Sequence, residues 1–472
     1  MATFDEASQS FLVWLTRSGA DINPKIELKD LRSAHAGRGV VAANDVEVEE
    51  LLFRLPRSAI LSVENSILYN EIPKVTFEEL GPWLSLILVM LYEYQNQDAS
   101  NWASYFRVLP SEFNTLMFWE DDELAELQAS AVRGKIGTEG ADRLFVEQLI
   151  PVIREFAEVF FAGDPRAKER AEEMLQPQNI LLMRKMGSLI MAYAFDVEPA
   201  VSHKEVDEEG YVSEDEDEAL PKGMVPLADM LNADAERNNA RLFYEEDCLS
   251  MKAIKPIQAG EEIFNDYGPL PRSDLLRRYG YITDNYAEYD VVEIPMDLVT
   301  QTASAAGINS KERLDYLEEH DILDTGYDIY AKTPFDLDGT ITPYLVVLIE
   351  ALLLPADEFE RLKQKNKLPK EDKISAAGAA MLLQLVRARA QQYPTSLEED
   401  IQQLTAVPFI ADFTTKEGRY AMARAVRIGE KKILRDVEQA LSGFATSGTA
   451  SNNMKRSAGS PGGGAKKKQR AG

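Results

Sequence analysis

Apolar residues recur at three- and four-residue spacing at Phe4, Ala7, Phe11, Leu12, Val13 and Leu15, which predicts a short amphipathic helix from Phe4 to Ser18 ending at Gly19. The pattern then turns β-like. Gly37-Arg38-Gly39 makes a tight turn into Val40-Val41-Ala42-Ala43, and Asn44-Asp45 introduces a strand from Glu49 to Leu55 closed by Pro56, so two short strands around a glycine turn predict a small sheet. Between about Ser62 and Val197 the helical period returns, at 78 to 96, 121 to 133, 140 to 162, 165 to 175 and 178 to 195. A second β-rich stretch follows, with Met224 to Ala228, Ala240 to Tyr244, Cys248 to Ala253 and Glu262 to Asn265 set between Asn, Asp and Gly turns. The sheet interrupted near residue 60 is expected to resume near 224, around a helical insertion of about 62–197.

Beyond about residue 300 the pattern is helical again, with candidates Pro343 to Leu354, Asp357 to Lys363, Ile374 to Gln392, Ser396 to Leu404 and Lys416 to Leu441. The expected organisation is α+β: a first, split β-rich domain over 10–295 and a helical C-terminal domain over 300–442. Two segments are marked by charge instead of period. Glu205 to Glu218 holds nine carboxylates among fourteen residues, a density that self-repels, so about 204–220 is expected to be a mobile surface loop. Residues 443–472 are rich in Gly, Ser and Ala, hold six Lys or Arg and no acidic residue, and are expected to form a disordered basic tail.

At 472 residues the chain has room for about three units at roughly 150 residues each. Its 51 Lys and Arg stand against 79 Asp and Glu, a net charge of −28. The body is thus unsuited to clamping nucleic acid directly over its surface. The most apolar run, Trp83 to Tyr92, is short for a membrane span of about twenty residues, and the first ten residues lack the basic-then-apolar pattern of a signal peptide. A soluble intracellular protein without membrane contact is expected. One cysteine, Cys248, excludes a disulfide or thiolate zinc cluster within the chain. His35, His203 and His320 have no metal-binding spacing, so no metal is expected, and the absence of phosphate-loop, dinucleotide and serine-elbow signatures removes the usual signals of nucleotide hydrolysis, nicotinamide chemistry and serine hydrolysis.

Three segments carry chemistry: Ala34-His35-Ala36-Gly37-Arg38-Gly39-Val40, Pro226-Leu227-Ala228-Asp229-Met230-Leu231-Asn232, and Phe264-Asn265-Asp266-Tyr267-Gly268 with Arg278-Tyr279-Gly280-Tyr281. Each alone reads as a turn or a packed strand end. Their order and spacing together resemble the SET-domain protein lysine methyltransferases, in the branch that includes the Rubisco large-subunit methyltransferase. Within that branch, the wording Val225 to Asp234 followed by Leu275-Leu276-Arg277-Arg278-Tyr279-Gly280-Tyr281 resembles most the fungal ribosomal lysine N-methyltransferases of type four. The resemblance covers roughly residues 10 to 440 and implies a split SET fold with a helical insertion and a C-terminal substrate-binding domain.

The resemblance also implies the reaction and its residues. S-adenosylmethionine would methylate a lysine amine, with Ala36, Gly37 and Arg38 holding the cofactor through their turn and Asn232 its amino-acid end. The family has Asn-His where this chain has Asn232-Ala233, so only the backbone of Ala233 is left to serve there. Tyr267 matches the catalytic tyrosine, Tyr279 an aromatic packed on the cofactor, and Tyr281 a position that influences the number of methyl groups, its hydroxyl pointing to fewer. Tyr193 falls where the family often has a cofactor-contacting Arg or Tyr. Trp102, Asp229 and Tyr244 are candidates for contact with the substrate lysine. A free lysine has a pKa of about 10.4, and desolvation beside a sulfonium lowers it without a dedicated base.

The acidic body suits a cationic cofactor and a Lys-rich substrate, and equally suits simple solubility. Lys455-Arg456 and Lys466-Lys467-Lys468-Gln469-Arg470, nine residues apart, have the form of a two-part nuclear import signal, which predicts the nucleus, with the cytoplasm also open. A ribosomal RNA contact by the tail is a competing reading. The expected substrate is a basic large-subunit ribosomal protein. Two alternatives stay open: a nuclear methyltransferase of histones or transcription factors, and an inactive SET-fold adaptor for basic proteins. With no assembly motif visible, a monomer is expected.

Overall fold

The structure, a computed structural model, describes residues 3–34, 36–197, 220–332, 339–406 and 412–447. The acidic stretch Glu205 to Glu218, the basic clusters at 455–470, His35 and His203 lie outside the described residues. The chain divides into two compact units, Met1–Val291 with Pro394–Glu430, and Val292–Tyr393 with Lys431–Gly472. There are two units instead of the three that length suggests, because the helical insertion shares one apolar core with the sheets, from Phe11 and Leu15 through Leu86 and Phe145 to Met251 and Ile263.

In the first unit, Thr3 and Glu6 form a reciprocal capping box that starts the helix Phe4–Arg17, close to its expected bounds. The expected sheet around the glycine turn is arranged differently. Arg38–Ala42 pairs antiparallel not with the strand after it but with Ile26–Asp30, with Leu28 opposite Val40. Ile26–Asp30 carries only two apolar residues among three charged ones, so its pattern is faint. The strand Leu51–Pro56 instead lies between Asp21–Ile22 and Cys248–Ala253, with Ala240–Tyr244 beyond, all antiparallel. Cys248–Ala253 is buried except at Lys252, as a central strand must be. The sheet does resume after the insertion, across about two hundred residues.

The insertion leaves and re-enters through a small sheet of Leu61–Ser62, Lys222–Met224 and Ala194–Asp196. Beyond Met224 the expected strand gives way to a 3-10 turn, Ala228–Met230, and Glu262 and Asn265 make only isolated bridges, to Val41 and Ala233. The apolar run Trp83 to Tyr92 belongs to a longer element, Lys74–Gln95, bent at Gly81-Pro82. Its 22 residues are long and apolar enough to cross a membrane by composition, but Leu86, Ile87, Val89, Met90 and Leu91 are wholly buried in the core. The expected helix 121 to 133 is broken into Asp121–Ala125 and the 3-10 turn Ala131–Lys135, and that over 140 to 162 is interrupted by a π-turn, Phe145–Leu149.

Residues 394–430, expected in the C-terminal domain, pack within the first unit. The reason is partly ionic. Arg427, 1% exposed, donates to both oxygens of Asp400, 0% exposed, at 2.9 and 2.8 Å, and to the carbonyl of Glu126. It is also apolar, since Met422, Ala423 and Val426 join Leu116, Trp119, Leu127 and Leu276 in one cluster.

In the second unit, the helices Met296–Ala305, Lys311–Glu318, Pro343–Leu353, Ala356–Gln364 and Ala376–Gln391 accompany a two-stranded sheet of Val291–Pro295 and Gly326–Tyr330 that the helical reading missed. The guanidinium of Arg313 closes the end of Pro343–Leu353 by donating to the carbonyls of Ala351, Leu352 and Leu354, each at 2.7 Å. The last helix runs Lys416–Ser447, past the expected end at Leu441 and into what reads as tail.

Candidate functional site

Segments far apart in sequence meet at one corner of the first unit. The turn after Ile26–Asp30 brings Ala36 beside Asn232, whose amide donates to the Ala36 carbonyl at 3.2 Å and to Glu262 at 2.6 Å. Asn232 thus spans 196 residues of sequence. Gly39 is the one residue type that fits between them: a Cβ there would lie 2.4 Å from Leu31 Cδ1, 2.9 Å from Glu262 Oε1 and 3.2 Å from Asn232 Nδ2. Burial pushes the Glu262 carboxyl up, and the Asn232 bond partly offsets it.

Arg38 does not point its side chain at this turn. Its guanidinium donates to the Val108 carbonyl at 2.6 Å and Ser8 Oγ at 3.3 Å and stacks 4.2 Å over the ring of Phe4. Of the three expected cofactor residues here, Arg38 therefore has only main-chain atoms to offer, while Ala36 and Gly37 line the turn itself.

The chain leaves Asn232 pinned by main-chain bonds to the approach of Tyr267: Asn265 N donates to Asn232 O at 2.9 Å, and Asp234 N to Asn265 O at 3.2 Å. Ala233 lies between these bonds in a parallel bridge with Asn265, so its backbone is held in place without the histidine of the family pattern. Tyr267 then donates its hydroxyl to the carbonyl of Leu231 at 3.3 Å. Its ring is stacked on Tyr279, centroids 4.4 Å apart at 13°, and Tyr279 meets Tyr281 edge-on at 6.3 Å and 61°. Burial drives the Tyr267 phenol well above its ordinary range, and the neighbouring Tyr281, Tyr193, Tyr279 and Asp229 add to it. The same cause raises Tyr281. Tyr193 is pushed up to about 12 by burial and by the charge of Asp229. These side chains therefore sit within each other's electrostatic reach.

Asp229 is delivered by a strained turn in which buried Leu227 holds φ +76°. Burial raises the Asp229 carboxyl to about 7. One oxygen accepts the hydroxyl of Tyr105, and the other, Oδ1, is buried with no partner among the described groups. A buried carboxylate oxygen left open is a place for a donor the protein does not supply.

Tyr105 was not legible as a site residue. Trp102, the expected aromatic of the insertion, begins the turn that carries it: the Trp102 carbonyl accepts from Tyr105 N at 2.9 Å, while its indole is buried in the core behind. The signal available was helical spacing, three residues along the same face. Tyr244 ends the edge strand, opposite Leu249, and packs on the same core as Tyr193. No group of three or more His, Cys, Asp or Glu suited to a metal occurs among the described residues.

The arrangement is a cluster of tyrosines around Asp229, linked through Leu231 and Asn265 to a glycine turn braced by Asn232. Such a cluster can strip water from an amine and align it, and the turn at Ala36 and Gly37, where a Cβ on Gly37 would meet nothing within 4 Å, can take a compact polar ligand.

Residues 37–268 match the SET-domain family and residues 309–434 match the Rubisco LSMT substrate-binding family. The chain is 34% identical over 377 residues to ribosomal lysine N-methyltransferase 4 of Saccharomyces cerevisiae, covering 75% of this chain and 73% of the yeast protein. It is 30% identical over 455 residues to the N-lysine methyltransferase SETD6 of Rattus norvegicus, covering 91% and 89% of the two chains. In fold it is similar to the SET domain of LSMT bound to lysine and AdoHcy, with TM-score 0.64, 19% identity and coverage of 94% and 92%. Rubisco LSMT bound to AdoMet gives TM-score 0.63 at 21% identity.

Proposed function

Since the chain belongs to the SET-domain protein lysine methyltransferases, with the α+β fold and C-terminal substrate-binding module of the Rubisco LSMT type, we propose that it methylates a lysine of a basic large-subunit ribosomal protein. It is a protein-lysine N-methyltransferase that uses S-adenosylmethionine. The observation that carries the site is the stacked pair Tyr267 and Tyr279, with the Tyr267 hydroxyl tied to the residue before Asn232.

The residues present fit the cofactor. A Cβ at Gly37 would meet nothing within 4 Å, the Asn232 amide is already oriented, and the partnerless Asp229 oxygen suits the cationic amine to be placed beside the cofactor. When bound, S-adenosylmethionine supplies an electrophilic methyl group on a positively charged sulfur. Ala36, Gly37 and the main chain of Arg38 would hold it at the turn, Asn232 and the Ala233 backbone would hold its amino-acid end, and Tyr193 and Tyr279 would pack on it. Tyr267, Tyr281, Asp229 and Tyr244 would enclose the target amine, with Trp102 packed behind. Desolvation there lowers the amine pKa, so that the proton leaves to water before transfer. The chain's own part would be to hold that amine aligned and dehydrated beside the cofactor's methyl group, and positioning of this kind, not a side-chain base, would supply most of the acceleration.

The ribosomal target rests on the similarity to the yeast enzyme, whose name states a ribosomal substrate. The net charge of −28 supports a Lys-rich partner by long-range attraction. The paired basic clusters at 455–456 and 466–470 support nuclear localisation, where ribosomal proteins are met before assembly. The test is transfer of a radiolabelled methyl group to ribosomal subunits, free ribosomal proteins and histones from cells lacking the gene, with mass spectrometry of the labelled band. One labelled lysine in a large-subunit protein supports the reading. Labelling confined to histones overturns the ribosomal target.

A further inference from the structure

Asn114 stands where three separate stretches of the first unit meet. Its side-chain amide donates to the carbonyl of Gly280 at 2.9 Å and to that of Phe413 at 3.0 Å. Its Oδ1 accepts from Arg419 Nε at 2.9 Å, and its main-chain carbonyl accepts the indole N–H of Trp119 at 2.8 Å. Both amide hydrogens and one oxygen lone pair are thus in use, which fixes the amide orientation. Arg419 is itself held by Glu123 at 2.7 Å, with side chains only 16% and 6% exposed.

Gly280 is the single residue between Tyr279 and Tyr281. It ends the helix Arg272–Tyr279 in the left-handed conformation, φ +77°, with its amide on the Leu276 carbonyl. A Cβ there would lie 2.7 Å from the Asn114 carbonyl carbon and 2.8 Å from Thr115 N, so the two backbones touch. As the only residue between the two aromatics, Gly280 sets through its torsions how Tyr281 stands relative to Tyr279. The only side-chain amide on the Gly280 carbonyl among the described residues is that of Asn114.

We propose that Asn114 is a positioning residue, through which the C-terminal segment carrying Phe413 and Arg419 sets the Tyr279-Gly280-Tyr281 turn and so the room beside the accepting amine. This rests on the reading that these tyrosines enclose that amine. The Asn114 amide joins both Phe413 and Arg419 to the Gly280 carbonyl. Loss of its two donors leaves the Gly280 and Phe413 carbonyls without that partner and frees the turn.

The test compares the full chain with Asn114→Asp, a near-isosteric change that keeps the acceptor for Arg419 and removes both donors. Turnover, cofactor KM, melting temperature and the mono- to dimethyl product ratio are measured at a temperature where both proteins are folded. The expected result is a fall in kcat of about tenfold, a changed product ratio, and a cofactor KM within about twofold, the pattern of a misplaced acceptor and not of lost binding. Arg419→Lys, which loosens the same amide from its far side, is expected to move the product ratio in the same direction and serves if Asn114→Asp does not fold. Folded variants with the unaltered product ratio and kcat would overturn the proposal and leave Asn114 as a structural tie. Should the unmodified chain methylate no protein, the functional reading falls. The link is then judged by hydrogen exchange at the amides of Gly280 and Tyr281: faster exchange in Asn114→Asp upholds it, and unchanged exchange refutes it.

Discussion

The ring of Tyr267 lies 4.4 Å from that of Tyr279 and nearly parallel to it, while its hydroxyl is bonded to the Leu231 carbonyl. The two contacts divide the work. Stacking fixes where the ring is, and the hydroxyl is what chemistry can use. Replacing Tyr267 by Phe should therefore keep the stack and cofactor affinity but lower kcat by roughly 10²–10³-fold, the scale of removing one positioned donor. Calorimetry for cofactor binding beside a methyl-transfer assay checks this. Full-rate transfer by Tyr267→Phe would remove Tyr267 from the reaction.

Asp229 gives a pH dependence of known sign. Its folded pKa, about 7, lies above the ordinary carboxyl value near 4, so the native state binds the proton more tightly than the unfolded chain. Its contribution to stability is complete below pH ~4 and is lost as the pH rises toward ~7. Asp229→Asn should flatten that part of the profile. Chemical denaturation of the cofactor-free protein at several pH values between these limits measures the difference. A slope equal to that of the unmodified protein would mean that Asp229 is ionised when folded.

Tyr105→Phe leaves both Asp229 oxygens without a hydroxyl partner. The expected cost is about 1–3 kcal/mol of stability, that of an unpaired buried acceptor, together with a weaker substrate KM. Urea unfolding and steady-state kinetics check the two parts separately.

Gly39→Ala would push a methyl group against Leu31, Glu262 and Asn232. A loss of about 1–3 kcal/mol and markedly weaker cofactor binding are expected, since the amide of Asn232 must move to make room. Unchanged affinity in a titration would show that Asn232 does not touch the cofactor.

Breaking the Arg427–Asp400 pair should cost about 3–5 kcal/mol, because either partner alone is a buried charge. Removing both, as Arg427→Met with Asp400→Leu, should cost less than either single change. Denaturation midpoints of the three variants decide it.

The segments legible in the sequence were those whose chemistry is local. Tyr267-Gly268 and Tyr279-Gly280-Tyr281 carry their spacing in the chain, and the motif at Asp229 to Asn232 is a short continuous phrase. Long-range ties left no local trace. Tyr105 meets Asp229 across 124 residues, and Asn114 meets Gly280 across 166. A lone Tyr or Asn in a helical insertion looks like any other until the fold supplies its partner. The same holds for the side chain of Arg38: its motif position points to the cofactor turn, whereas Phe4, Ser8 and Val108, which draw it away, are distant in sequence or featureless. Residues 394–430 follow suit, for their helical period is visible but the burial of Arg427 against Glu126 is not.

The glycine turn at Ala36 to Gly39 leaves the ribosome early, yet Asn232 and Glu262, which brace it, are made far later. At synthesis rates of roughly 5–20 residues per second, the turn waits many seconds for these partners. A truncated or nascent chain that has not passed Glu262 therefore cannot make the bonds that brace this turn. Any ligand that needs the braced turn would act on the finished chain alone, drawing late folding intermediates toward the native state by mass action.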